Sequence, residues 1–358
     1  MPSYRNLQAD TAEGRRILER LLVLRRQLDR DIPARTFQDT LLLATWNIRE
    51  FDSPAYGPRV AEAYYYIAEI VARFDLVAIQ EVRRDLKALY RLCELLGPNW
   101  DYIVTDVTEG SRGNDERMAF LYDRRKVQFG GLASQLVLPP IELKGQDGKT
   151  IYQPASQLAR TPFLGGFISG WTRFILTTVH VIYGTDASND PNRLEEIRQI
   201  ARFLRGRTLD EQNWARNLIL LGDFNICSPE DETMRALLEA EFVIPQELQR
   251  LPSNAPRTKH YDQIAFRVRP GSLDMTGKAG VFNYYETVFR REDEAIYAPY
   301  MGQAYEVTSG GKPRKDKTGY YMTYWRTHQM SDHLPMWVEL QIDYSDQFLQ
   351  DKLSGLQP

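Results

Sequence analysis

The 358 residues carry 45 basic and 48 acidic side chains, a formal net charge of −3, so no global positive field recruits nucleic acid or an anionic membrane and any polyanion contact has to be local. Two cysteines, Cys93 and Cys227, rule out a disulfide framework. No eighteen apolar residues run together, so no membrane span is expected; the polar stretch 1–11 lacks the apolar core of a secretory leader, and a reducing, cytoplasmic setting is the expectation.

In chain order, Ile17, Leu21, Leu24 and Leu28 recur at helical spacing among arginines, and the break at Asp31-Ile32-Pro33 ends that helix. It reads as an extension over 1–36, packed on the core or a partner, with its arginines on a solvated face. From residue 40 short apolar runs alternate with helical stretches: strand 41–46, helix 59–73, strand 76–79, helix 86–96. That alternation is the signature of an α/β core. Strand-like segments follow at 102–105, 118–122, 127–129, 163–168 and 174–181, mostly too close for helices between them and therefore antiparallel. A helix over 192–204 and a strand over 218–221 come next, then a helix opened by Ser228-Pro229-Glu230-Asp231-Glu232 with the serine as cap. The last core strands are 261–268 and 335–342, and 346–358 is a tail. The stretch 270–330 reads as an irregular aromatic and basic insert in a catalytic domain spanning 37–345.

Polar side chains of one chemical kind stand at the ends of these strands. They are Asn47, Glu81 after Gln80, His180, Asp223 and Asn225 in Leu220-Leu221-Gly222-Asp223-Phe224-Asn225, and Asp332 and His333 in Ser331-Asp332-His333-Leu334-Pro335. Any one of them alone is explained by turn capping, but the set points to one pocket. Oxygen-rich ligands select Mg²⁺ or Mn²⁺ over Zn²⁺. Phosphodiester hydrolysis needs an activated water, a cation or guanidinium for the phosphoryl oxygens and a donor for the leaving oxygen, and this set supplies each.

With Trp46-Asn47-Ile48-Arg49 and Gln80-Glu81-Val82 preceding the two later motifs, the chain over about 41–342 resembles the endonuclease/exonuclease/phosphatase superfamily, and within it the deoxyribonuclease I branch. The resemblance implies a four-layer α-β-β-α sandwich of two mixed β-sheets flanked by helices. It implies metal binding by Asn47, Glu81 and Asp332, and orientation of water and phosphate by Asp223 and Asn225. It also implies two imidazoles, His180 and His333, held by Glu116 and Asp262, and a phosphate grip from Arg160. His260 and His328 are expected at the rim, and Arg117 in a surface ion pair. The tryptophan and Cys-Asp-Arg string of inositol-phosphatase relatives are missing, which lowers that reading.

Three functions stand at this point. The first is a metal-dependent endonuclease on nucleic acid, the insert forming a base-stacking wall. The second is a phosphodiesterase or phosphatase on a small or lipid-linked phosphate, and the third a catalytically inactive copy that binds nucleic acid or a partner. DNA versus RNA, endo versus exo cleavage and oligomeric state stay open.

Overall fold

Strand β1 (Thr40–Phe51) shows how the sequence makes the core. Leu41 and Leu43 join one apolar cluster and Leu42, Ala44 and Trp46 another, all fully buried, the alternation of a strand covered on both faces. The protein is seen as a computed structural model that describes all residues except 1, 52, 54–55, 111–112, 148, 210–212, 270 and 356–358. Further strands are β2 (Leu76–Arg83), β3 (Trp100–Val104), β4 (Glu116–Asp123), β5 (Gln128–Gln135), β6 (Ile141–Lys144), β7 (Thr150–Gln153), β8 (Phe163–Ser169), β9 (Thr172–His180), β10 (Asn217–Asp223), β11 (Asp262–Arg267), β12 (Met275–Val281) and β13 (Met336–Gln341).

One sheet runs in the order β12-β13-β1-β2-β4-β3 and the other β11-β10-β9-β8-β5, with β6-β7 as a separate hairpin. Both sheets are mixed: β1 is parallel to β2 and antiparallel to β13, and β10 is parallel to β9 and antiparallel to β11. Their inner faces meet through β1 against β10 and β2 against β9. Helices α1 (Ala12–Asp31), α2 (Ala61–Val71) and α3 (Lys87–Leu96) cover the first sheet, and α4 (Pro191–Leu209) and α5 (Glu232–Glu239) the second. This is the expected four-layer sandwich.

Several local expectations are corrected. Thr11 caps α1 by accepting from the Gly14 amide, and the arginines of α1 are only partly a solvated face: Arg15, Arg26 and Arg30 are exposed, while Arg16, Arg20 and Arg25 pair with the buried carboxylates of Glu62, Asp293 and Glu69. Ile17, Leu21, Leu24 and Leu28 belong to the main core cluster. Replacing fully buried Leu24 by alanine should therefore cost about 3 kcal/mol in a urea unfolding experiment; a loss under about 1 kcal/mol would mark α1 as a loose appendage.

Ser228 does not cap α5. The helix starts at Glu232, and the Asp231 carboxylate accepts instead from the Ser228 amide, closing a turn ahead of it. The stretch read as irregular contains β12, helix α6 (Glu294–Met301) and a wound segment over Lys317–Gln329. Its Tyr284, Tyr285, Phe289, Tyr297, Tyr321 and Trp325 are buried against α1 and α2, so most of its rings are core and not wall. The tail holds a helix, Ser345–Leu353. Among the described residues no helix is long and apolar enough to cross a membrane.

Candidate active site

Register brings the polar strand ends together. Parallel pairing sets Asp223 beside His180, and antiparallel pairing sets Asp262 beside Asp223. Asn47 and Glu81 leave the parallel pair β1 and β2 where its ladder breaks, and Glu116 starts β4 opposite Arg83. His333 lies just ahead of β13, bridged to Asn254.

The centre is Asp223. Its Oδ2 lies 3.5 Å from His180 Nε2 and 3.7 Å from His333 Nε2. The other nitrogen of each ring is taken: His180 Nδ1 is 2.9 Å from Glu116 Oε2 and His333 Nδ1 is 2.8 Å from Asp262 Oδ2. A carboxylate can only accept there, so each Nδ1 carries its proton and each Nε2 faces the pocket.

Asn47 Nδ2 donates to Glu81 Oε1 at 2.9 Å and to Asp223 Oδ2 at 3.0 Å. Its Oδ1 is buried without a partner, and a buried acceptor left unpaired in a native site points to a missing ligand. Glu81 Oε2 accepts from the Glu50 amide at 2.6 Å. The Asn225 amide donates to Asp223 Oδ1 at 2.9 Å, while its Nδ2 donates to the Val181 carbonyl at 2.8 Å.

Backbone strain gathers here. Glu50, Glu81 and Asn225 all have positive φ, at 47°, 61° and 53°, a conformation that side chains with a Cβ adopt at a cost. At Gly222, φ is +131° and an added Cβ would meet the Val179 carbonyl oxygen at 2.2 Å, so only glycine lets β10 approach β9 before the aspartate.

Electrostatics follow from enclosure. Burial pulls the His333 imidazole down, but the charges of Asp262 and Asp223 outweigh it and hold the ring well above its ordinary value. His180 is raised in the same way, Glu116 overcoming burial and Arg160. Against burial, His180 and Arg160 bring Glu116 down to about 2. Glu81 is raised by burial and by the Glu116 charge, which outweigh the pull of His180. Glu81, Glu116 and His180 form one close trio and Asp223, Asp262 and His333 another. In each trio the imidazole Nδ1 is already held by a carboxylate. The oxygens of Asn47 and Glu81 are better placed donors for a hard cation.

Two expected residues sit differently from the rest. Arg160 stands at the pocket, but its Nε is 2.7 Å from Glu116 Oε2, so its guanidinium is already tied to the carboxylate that holds His180. Asp332 is not drawn into either trio; its half-exposed carboxylate lies 3.8 Å from Arg49 Nε. At the periphery, Arg117 pairs with Asp106 as expected. His328 is buried and stacked on Tyr56 at 4.1 Å, so it lies inside the wall and not on the rim.

The turn bearing Asp332 and His333 is held by residues that sequence reasoning left without a role. Trp46 Nε1 donates to the His333 carbonyl at 3.0 Å, and the Tyr284 and Tyr285 hydroxyls each donate to the Ser331 carbonyl at 2.8 Å. Ser331 Oγ donates to the Asn47 carbonyl at 2.6 Å, tying the turn to β1. Glu196 on α4 is a buried acid near Arg160 and His180; burial pushes it up to about 7, against pull from the Ala159 amide and Arg160. Only the apolar face of α4 is legible in sequence, so nothing there marks Glu196.

Residues 44–242, more than half the chain, match the profile of the Endonuclease/Exonuclease/phosphatase family. The chain belongs to that family. A protein named Deoxyribonuclease from Thioalkalivibrio sp. (strain K90mix) is 32% identical over 216 residues, covering 58% of this chain and 53% of that protein. The chain thus spans about half the length of that curated relative. Among solved structures, humanized D. rerio TDP2 covers 84% of this chain and 98% of its own at TM-score 0.51 and 13% identity. An endonuclease/exonuclease/phosphatase family protein from Bacteroides thetaiotaomicron covers 86% and 99% at TM-score 0.50 and 17% identity. At these identities the likeness is one of fold.

Proposed function

We propose that this family member is a divalent-metal-dependent nuclease that hydrolyses phosphodiester bonds by attack of water. The observation that carries the reading is a single carboxylate oxygen, Asp223 Oδ2, set 3.5 and 3.7 Å from two imidazole nitrogens that each have their own carboxylate behind them. The relative named Deoxyribonuclease supports nucleic acid as substrate.

Asp223 takes the proton of the attacking water, oriented with help from Asn225, whose amide fixes the second oxygen of the same carboxylate. His180 and His333 present Nε2 to the phosphate oxygens, one of the two rings giving the leaving oxygen the single proton it takes and the other donating a hydrogen bond to a non-bridging oxygen, while Glu116 and Asp262 fix their tautomers. Arg160, anchored by Glu116, offers its outer edge to the phosphate. Asn47, through its unpartnered Oδ1, and Glu81 would hold Mg²⁺ or Mn²⁺, with Asp332 completing the set from the rim. When bound, the ion draws charge off the phosphoryl oxygens.

The test is incubation of the purified protein with supercoiled plasmid, single-stranded DNA, RNA and bis-p-nitrophenyl phosphate, with and without Mg²⁺, beside a His333→Ala control. Cleavage of nucleic acid that needs the metal and vanishes in the control is expected. Turnover confined to the small ester would replace the nuclease reading with a small-substrate phosphodiesterase, and no turnover on any substrate would favour a binding protein. For Glu81→Gln, the Mg²⁺ concentration at half-maximal rate should rise about tenfold or more; an unchanged titration removes Glu81 from the metal site.

A further inference from the structure

The insert's buried rings leave a smaller group at the surface, and that group is ordered. Tyr320 and Tyr324 stack with centroids 5.3 Å apart. Arg314 lies 4.0 Å over Tyr320 at one end of the row. At the other, Tyr324 approaches Tyr56 at 6.1 Å, and His328 packs behind both, 4.5 Å from Tyr324 and 4.1 Å from Tyr56. Tyr56 and Tyr324 are 40% and 39% exposed, so the hydrophobic gain of packing is only half taken.

The row connects a cavity to the pocket. Tyr320, Tyr324, Thr323 and Arg314 line an open cavity of about 810 Å³ against residues 303–309, a size suited to a small ligand such as one or two nucleotides. Toward the pocket, Arg49 Nη1 donates to Thr327 Oγ1 at 2.6 Å while its Nε lies 3.8 Å from Asp332 Oδ2. Exposed Lys312 and Lys315 flank Arg314 in sequence. Rings beside fixed and mobile cations suit bases linked by phosphates, because every base has a π-face and every linkage a negative charge.

We propose that this row and cavity form a subsite for unpaired nucleotides adjoining the scissile phosphate, so that the substrate is single-stranded, or locally opened, where it crosses the insert. The proposal rests on the nuclease reading for its orientation toward the catalytic groups, but binding is measurable without turnover.

The experiment measures anisotropy of labelled single-stranded DNA, single-stranded RNA and duplex DNA of equal length, without added divalent metal, for the wild type and a Tyr320→Ala/Tyr324→Ala variant. A Tyr320→Phe/Tyr324→Phe variant keeps the rings. Single-strand affinity should fall about tenfold or more in the alanine pair and recover in the phenylalanine pair, with duplex affinity changing less than threefold. Whichever of DNA and RNA shows the larger loss identifies the sugar. Equal single-strand affinity in the wild type and the alanine pair overturns the proposal, as does an equal loss on duplex. If the alanine pair is misfolded by circular dichroism, Tyr56→Ala is read by the same criteria. A single-strand loss without any catalysed hydrolysis would leave the subsite standing and remove the nuclease assignment; hydrolysis of single strands with unaltered binding would do the reverse.

Discussion

Asp223→Ala is expected to lower kcat on any cleaved phosphodiester by about a thousandfold or more, with the fold intact by circular dichroism. Four interactions end at this side chain: the Asn225 backbone amide at 2.9 Å, the Asn47 side-chain amide at 3.0 Å, His180 Nε2 at 3.5 Å and His333 Nε2 at 3.7 Å. Removing it takes away the group proposed to accept the water's proton and the carboxylate that sits between two imidazoles. His333→Ala and His180→Ala should fall nearly as far singly, and the double variant little further, because groups acting on one phosphate do not contribute additively. Steady-state kinetics on the small ester check this without the complication of nucleic-acid binding. Rates within tenfold of wild type for Asp223→Ala would place the chemistry elsewhere.

At the opposite pole from the pocket, Asp75→Ala should cost about 4 kcal/mol of unfolding free energy. Asp75 is fully buried and joins the two ends of β1 and β2 to a cationic pair: Arg35 Nε at 2.6 Å, Lys126 Nζ at 2.9 Å and the Leu42 amide at 2.8 Å. Alanine leaves Lys126, itself 5% exposed, as an uncompensated buried charge. The same Arg35 reaches Asp123 at 2.7 Å, which links this cluster to pH. Burial alone would raise Asp123, but hydrogen bonds from Arg125 and Arg35 bring it below the usual carboxylate range. Its folded pKa is therefore lower than its unfolded one, so its contribution is complete above the unfolded value of about 3.9 and is lost as pH falls through the folded value. Urea unfolding of the wild type should weaken steeply below about pH 4, and Asp123→Asn should make that decline shallower. An identical slope in the two proteins would show that other carboxylates govern acid unfolding.

The architecture was largely legible because its central strands are covered on both faces. Segments such as Leu218 to Leu221 are continuous apolar runs that end in glycine and a carboxylate. Strand β12 was not legible: Met275-Thr276-Gly277-Lys278-Ala279-Gly280-Val281 lies at an edge, exposed along most of its length, and lacks a periodic apolar pattern. The hairpin β6-β7 escaped because its strands are only four residues long and almost wholly exposed, so the short alternation in Ile141-Glu142-Leu143-Lys144 marks no core face. For the site, motif spacing identified the side chains on strand ends, whose neighbours are fixed by register. It could not show that Arg160 is bound to Glu116, nor that Tyr284 and Tyr285 brace the Asp332-His333 turn, since those contacts join distant loops. An aromatic-rich composition also does not say which rings face inward. Tyrosine offers both a large apolar face and a hydroxyl, and the insert uses the two in different places.

The place of one strand in the first sheet governs when the pocket can be complete. Strand β13 is late in the chain yet lies inside the sheet, between β12 and β1, and His333 immediately precedes it. During synthesis the earlier strands can collapse, but the slot beside β1 stays vacant and one of the two imidazoles has not arrived. A chain that ends ahead of residue 333 lacks both β13 and one of the two imidazoles facing Asp223, so such a product is expected to show no turnover of the small ester.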